Sequence, residues 1–131
     1  MRTALINAAL VGSGGFLGAL ARYGLGGFVH RFLPFATFPF GTLAVNLVGC
    51  FAIGVLGGLT ETRQLFAPEF RTFVFIGVLG GFTTLSTFGY ETYALMRDSE
   101  YALAAANVGL QVIGGLTLVW LGWALSTIDF G

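Results

Sequence analysis

The sequence predicts an all-α membrane protein of four transmembrane helices, with residues 1–131 forming a single domain. Three observations point there. Of the 131 residues, 56% are hydrophobic and only 9% charged, against about 25% charged in an ordinary soluble domain. The mean hydropathy is +0.86. The charged residues cluster so that four apolar segments are left between them, each near the roughly 20 residues that cross a bilayer as a helix.

The first span is expected at about residues 5–29. The opening MRTALINAALVGSGG starts like a signal peptide, but its apolar run continues to Leu20 without a convincing cleavage site. It is therefore read as a retained span. His30 and Arg31 end it, and Pro34 and Pro39 mark the following loop. The second span is expected at about 40–59, followed by a polar break at Glu61, Arg63, Pro68 and Glu69. The third is expected at about 70–96 and ends at Arg97, Asp98 and Glu100; the fourth covers about 101–128. No internal repeat is visible. Cys50, the single cysteine, has no intrachain disulfide partner and reads as a small packing residue.

Loop arginines give almost no orientation signal. Arg2, Arg63 and Arg71 fall on one side, Arg31 and Arg97 on the other. A chain without a positive-inside bias inserts both ways, so dual topology is expected. Four short helices hardly enclose a lined path, so transport would need an oligomer. Opposite insertion makes an antiparallel homodimer natural, because two-fold interfaces are self-complementary. The pairs Gly14–Gly18, Gly54–Gly58 and Gly77–Gly81 are candidate close-packing faces among the 21 glycines. The balanced charge, six Arg against six acids, suggests no nucleic-acid partner.

Polar residues at membrane depth are costly and tend to be functional. Arg22, late in span one, and Glu91, late in span three, share a depth and a side. They pair, face a vestibule, or snorkel as anchors. Asn46, in GTLAVNLVG (41–49), lies roughly 10 Å into span two at 1.5 Å per residue. It either bonds a neighbouring helix or offers its amide donors to a ligand. The run GGFTTLSTF (80–88) predicts a break in the third helix near the bilayer midplane. Gly costs about 1 kcal/mol against Ala in a helix, and Thr and Ser prefer other local bonds. Non-helical backbone at that depth is tolerated only inside protein or along a cavity. Thr84, Ser86 and Thr87 offer hydroxyls and Phe88 a ring edge of positive quadrupole. A plain helix-packing face is the alternative. Neutral donors with few carboxylates suit a small anion better than a cation.

GFLGALARY (15–23), GTLAVNLVG (41–49) and GGFTTLSTFGYE (80–91) closely resemble the CrcB/Fluc fluoride channels, small four-span proteins of bacteria and archaea. The resemblance covers all four spans, in order. It implies a dual-topology antiparallel homodimer with two pores in the cell (inner) membrane of a prokaryote. It also implies passive fluoride export from the cytoplasm and one structural, untransported Na+ at the dimer centre. The Na+ ligands would be the backbone carbonyls of Gly80 and Thr83 from each subunit. Asn46 and Phe88 match pore-lining positions, Thr84, Ser86 and Thr87 neighbouring hydroxyl positions, and Arg22 and Glu91 the charged positions of the family motifs.

Two departures stand out. Leu85 replaces the family's first pore phenylalanine, removing one ring edge from the ion pathway. Gly89 stands where a serine is usual. In the fourth span Gln111 and Thr117 are the deeper polar candidates, unplaced by spacing alone.

A small multidrug transporter is a rival, but the first span lacks the embedded glutamate that such proton-coupled exchange uses. A non-transporting scaffold explains the glycines but not the ordered motifs. An enzyme is disfavoured by a lone His30 and the absence of a nucleophile–base pair. GSGGFLG (12–18) misses the dinucleotide-loop spacing at Leu17.

Overall fold

The computed structural model describes residues 1–128. Four helices in it are long and apolar enough to span a membrane: α1 (Arg2–Phe32), α2 (Phe40–Arg63), α3 (Pro68–Arg97) and α4 (Tyr101–Thr127). All overrun the apolar windows at one end or both, except where α4 stops one residue short of 128. The reason is physical. Helical hydrogen bonding continues into polar residues such as Arg2, Thr3 and Thr60–Arg63, while hydropathy marks only the membrane-facing stretch.

Local chemistry explains the ends. His30 and Arg31 lie in the last turn of α1, where the helix dipole favours cations. Pro39 precedes α2, and Gln64 closes it in a left-handed conformation at φ 48°. Pro68 opens α3 at a first-turn position, where its missing N–H is not needed. Ser99, at φ 62°, turns the chain into α4.

Two stretches are underwound into π-helical turns, Thr72–Leu79 and Leu110–Gly114. Such turns are rare and concentrate at functional sites. Beyond the first one the helix resumes over Gly80–Phe82. The backbone then leaves helical geometry for two residues. Thr83 lies at φ −85°, ψ 158° and Thr84 at φ −150°, ψ 121°. Helix returns over Leu85–Arg97, with the Thr84 hydroxyl accepting from Thr87 N, the bond expected of a Thr N-cap.

The helices pack as two glycine-lined pairs. α1 lies against the first part of α3. A Cβ on Gly14 would come within 2.5 Å of the Phe73 carbonyl, one on Gly18 would strike the Val78 carbonyl, and one on Gly81 would come within 2.5 Å of the Gly15 carbonyl. Likewise α2 meets α4: a Cβ on Gly54 would strike Val119 O, one on Gly58 the Ser126 hydroxyl, and one on Gly122 would reach Phe51 O at 2.5 Å. All three small-residue pairs named from the sequence therefore serve contacts within one protomer. In lipid, where apolar attraction between helices is weak, such backbone approach is the main source of cohesion.

The core is correspondingly thin. Leu43, Val45, Leu79, Phe82, Leu95 and Ala104 are its buried apolar residues. In no span is more than 22% of the apolar window buried, so most apolar surface is left for lipid or another chain. Phe16, Ile113, Leu116 and Trp120 are all more than 60% exposed. A water-soluble monomer rarely carries such a surface.

Candidate ion-pathway site

The site is built around the two non-helical residues of α3. Asn46, on α2, holds them. Its Oδ1 accepts from Thr84 N at 2.9 Å, and its Nδ2 donates to Thr84 O at 3.0 Å. The amide thus pairs with the backbone of Thr84 on both sides, as a neighbouring strand would. The second Nδ2 hydrogen goes to Gln111 Oε1 on α4, at 2.9 Å. Every donor of Asn46 is used, so α2, α3 and α4 are tied at one point. Gly49, one turn along, permits the approach: a Cβ there would strike the Thr83 methyl.

This clamp has a consequence for the carbonyls. Helix continuity would direct the Thr84 N–H to the Gly80 carbonyl; Asn46 takes that donor instead. The Thr87 N–H, which would serve the Thr83 carbonyl, goes to the Thr84 hydroxyl at 3.3 Å. Gly80 and Thr83 are thereby two of the carbonyls whose regular helical donors are lost at the break. The side chain of Thr83 turns inward, its hydroxyl donating to Leu79 O at 2.9 Å.

The hydroxyl cluster lies just beyond. Thr84 Oγ1 donates to Thr87 Oγ1 at 3.1 Å and stands 3.4 Å from Ser86 Oγ. Ser86 is exposed and Thr87 half-buried. Two cavities adjoin the break, and Thr84 lines both. One, of about 720 Å³, opens toward the α1–α2 loop and is lined by Arg22, His30, Thr42, Thr87 and Glu91. The other, of about 430 Å³, is lined by Asn46, Gly80, Thr83, Leu85, Phe88 and Gln111. Phe88 is half-buried, whereas Leu85 is 79% exposed in the protomer.

Arg22 and Glu91 thus share one cavity. They form no ion pair; among the described residues that contact joins Arg97 and Asp98, at 3.4 Å. Glu91 Oε1 instead accepts from the Thr42 hydroxyl at 2.8 Å. Its Oε2 is buried without a protein partner. Thr117 bonds the Ile113 carbonyl of its own helix at 2.7 Å and leaves the cluster.

Sequence reasoning missed two residues and one bond. Thr42 lies four residues before Asn46, on the same helix face, and that spacing was a readable signal. Asn107 is wholly buried and donates to the Thr92 hydroxyl at 2.9 Å. It lies four residues before Gln111, again on one face. The bond between Asn46 and Gln111 spans two helices distant in sequence and has no local signature. No group of three or more His, Cys, Asp and Glu able to hold a metal occurs among the described residues, so a cation here would depend on backbone and neutral side-chain oxygens.

A family model described as CrcB-like protein, Camphor Resistance (CrcB), matches residues 9–123. Relatives named as fluoride-specific ion channels are similar along most of their length. A fluoride-specific ion channel of Methylobacillus flagellatus is 42% identical over 116 residues, covering 88% of this chain and 91% of that protein. One from Methanosarcina barkeri is 45% identical over 113 residues, covering 86% and 84%. One from Geotalea uraniireducens is 46% identical over 108 residues, covering 82% and 86%. These relatives are ion channels, not enzymes.

Proposed function

The chain belongs to the CrcB family, and from that premise we propose that it is a fluoride-specific channel that lets fluoride leave the cytoplasm passively. The observation that carries this reading is the neutral donor cluster at a non-helical point of α3, flanked by two cavities that share Thr84. Fluoride is small, strongly hydrated and a strong acceptor. A path for it must replace water with donors and still release the ion. Hydroxyls, amides and the edge of Phe88 meet that need. A fixed cation at the narrowest point would trap it, and Arg22 lies out in the larger cavity with Glu91.

The pathway residues are Asn46, Thr84, Ser86, Thr87 and Phe88, with Leu85 at the position of the missing ring. Arg22 and Glu91 belong to the vestibule. The working unit is an antiparallel, dual-topology homodimer with two pathways, in the inner membrane of a prokaryote. Three features support a dimer. The loop arginines are balanced, the apolar surface is largely uncovered, and Leu85 is exposed beside the site.

A structural Na+ fits the oxygens present. Na+ takes hard oxygen ligands, and the diverted carbonyls of Gly80 and Thr83 are such ligands. One chain supplies too few, so both subunits would contribute. The ion would hold the two breaks together and take no part in transport.

The test is fluoride release from liposomes carrying the purified protein, read with a fluoride electrode. Rapid release that protein-free liposomes lack supports the reading. No release from a verified dimer with Na+ on both sides overturns it. The multidrug-exchanger alternative finds no support, because α1 carries no acidic residue.

A further inference from the structure

We propose that Gln111 is a hydrogen-bond donor to fluoride in the smaller cavity, and that Asn46 is the positioning residue that aims it. The proposal rests on the channel reading and assigns it a donor beyond the hydroxyls and the Phe88 edge.

The Thr84 N–H can only donate, so the oxygen of Asn46 must face it, at 2.9 Å. The nitrogen of Asn46 then faces the Thr84 carbonyl, at 3.0 Å. Its remaining hydrogen points to Gln111, which must present an acceptor there, its Oε1, at 2.9 Å. The orientation of the Gln111 amide is therefore fixed by a backbone group on another helix. Nε2 is left on the far side of the amide. It is buried and has no protein partner, although Gln111 lines the cavity that contains Phe88.

A buried amide N–H without an acceptor is rare in native structures and calls for an explanation. An anion that has shed water supplies the missing acceptor. The donors of Asn46 itself are both occupied within the protein, so the free amide beside the break is that of Gln111. Its neutrality suits release as well as capture, since no fixed charge holds the ion. Gln111 also stands on the π-helical stretch Leu110–Gly114, a distortion that re-aims side chains relative to a regular helix. The same cavity is lined by Leu85, which offers no donor, so an added amide there matters more.

Gln111→Glu is the most informative substitution. It keeps an oxygen toward Asn46 and changes the free nitrogen to oxygen. Fluoride efflux should fall at least tenfold at neutral pH. It should recover on acidification, when the carboxyl gains a proton to donate. Wild-type efflux, corrected with protein-free liposomes, should lack that recovery. Gln111→Leu should fall at all pH values. Efflux within twofold of wild type in both variants would overturn the proposal and leave only a hydrated, structural amide.

A binding readout separates this from failure of the channel reading. The chain has two glutamines, Gln64 and Gln111, and Gln64 is exposed. In protein labelled with nitrogen-15 at glutamine, sodium fluoride should shift the Gln111 side-chain amide resonances and leave those of Gln64 in place. Sodium chloride should shift neither. Asn46→Leu should weaken the Gln111 response. A fluoride shift without efflux keeps the donor and rejects the channel. Efflux with an unresponsive Gln111 amide keeps the channel and rejects the donor.

Discussion

Replacing Asn46 by aspartate tests the clamp at the centre of the site. The substitution preserves size and the bond accepted from Thr84 N at 2.9 Å. It turns the two donated bonds, to Thr84 O at 3.0 Å and Gln111 Oε1 at 2.9 Å, into oxygen facing oxygen. Gln111 can rotate its amide and donate; the Thr84 carbonyl cannot move without α3. At about 1 kcal/mol per bond, the loss is about 1–2 kcal/mol. A carboxylate roughly 5 Å from a passing fluoride adds about 3 kcal/mol at an effective dielectric near 20. The first is a loss of stability; the second acts on the ion, and about 3 kcal/mol on its barrier slows passage on the order of a hundredfold. Fluoride efflux from liposomes, with the oligomer verified by crosslinking, is the assay. Efflux from folded Asn46→Asp within tenfold of wild type would refute the reasoning, because neither the clamp nor a nearby ion could then be as described.

Gly18→Ala should destabilise the protein by about 1–3 kcal/mol, since its Cβ would strike the Val78 carbonyl. Gly12→Ala, with nothing within 4 Å, should be neutral or stabilising by up to about 1 kcal/mol; unfolding in mild detergent compares them. Leu85→Phe should leave folding intact, because the side chain is 79% exposed in the protomer, and should match or exceed wild-type fluoride efflux by adding a ring edge. Slower efflux would mean that this position is packed against the partner. Glu61→Gln should change stability by less than about 0.5 kcal/mol, because its 3.2 Å bond from Trp123 Nε1 is exposed.

What the sequence made legible follows the range of each physical signal. Hydropathy is local and cumulative, so all four helices were visible, but their ends were set by hydrogen bonding that hydropathy does not report. Gly14–Gly18 and Gly77–Gly81 were visible as spacing. That they face one another inside a protomer depends on the third dimension, as does the pairing of Gly122 with the Gly54 turn. Asn46 was conspicuous because an amide at depth must find partners. Which partners was unreadable, since Thr84 and Gln111 are brought to it by two other helices. The π-helical turns at Thr72–Leu79 and Leu110–Gly114 have no composition of their own. They arise from packing, and they position residues that local propensity would have aimed elsewhere.

The most direct test of the central claim is paired efflux of fluoride and chloride from the same liposomes, with the membrane voltage set by an ionophore. Rapid fluoride loss with chloride retained is expected. Chloride leaving as fast as fluoride, or neither ion leaving in the presence of Na+, would contradict it.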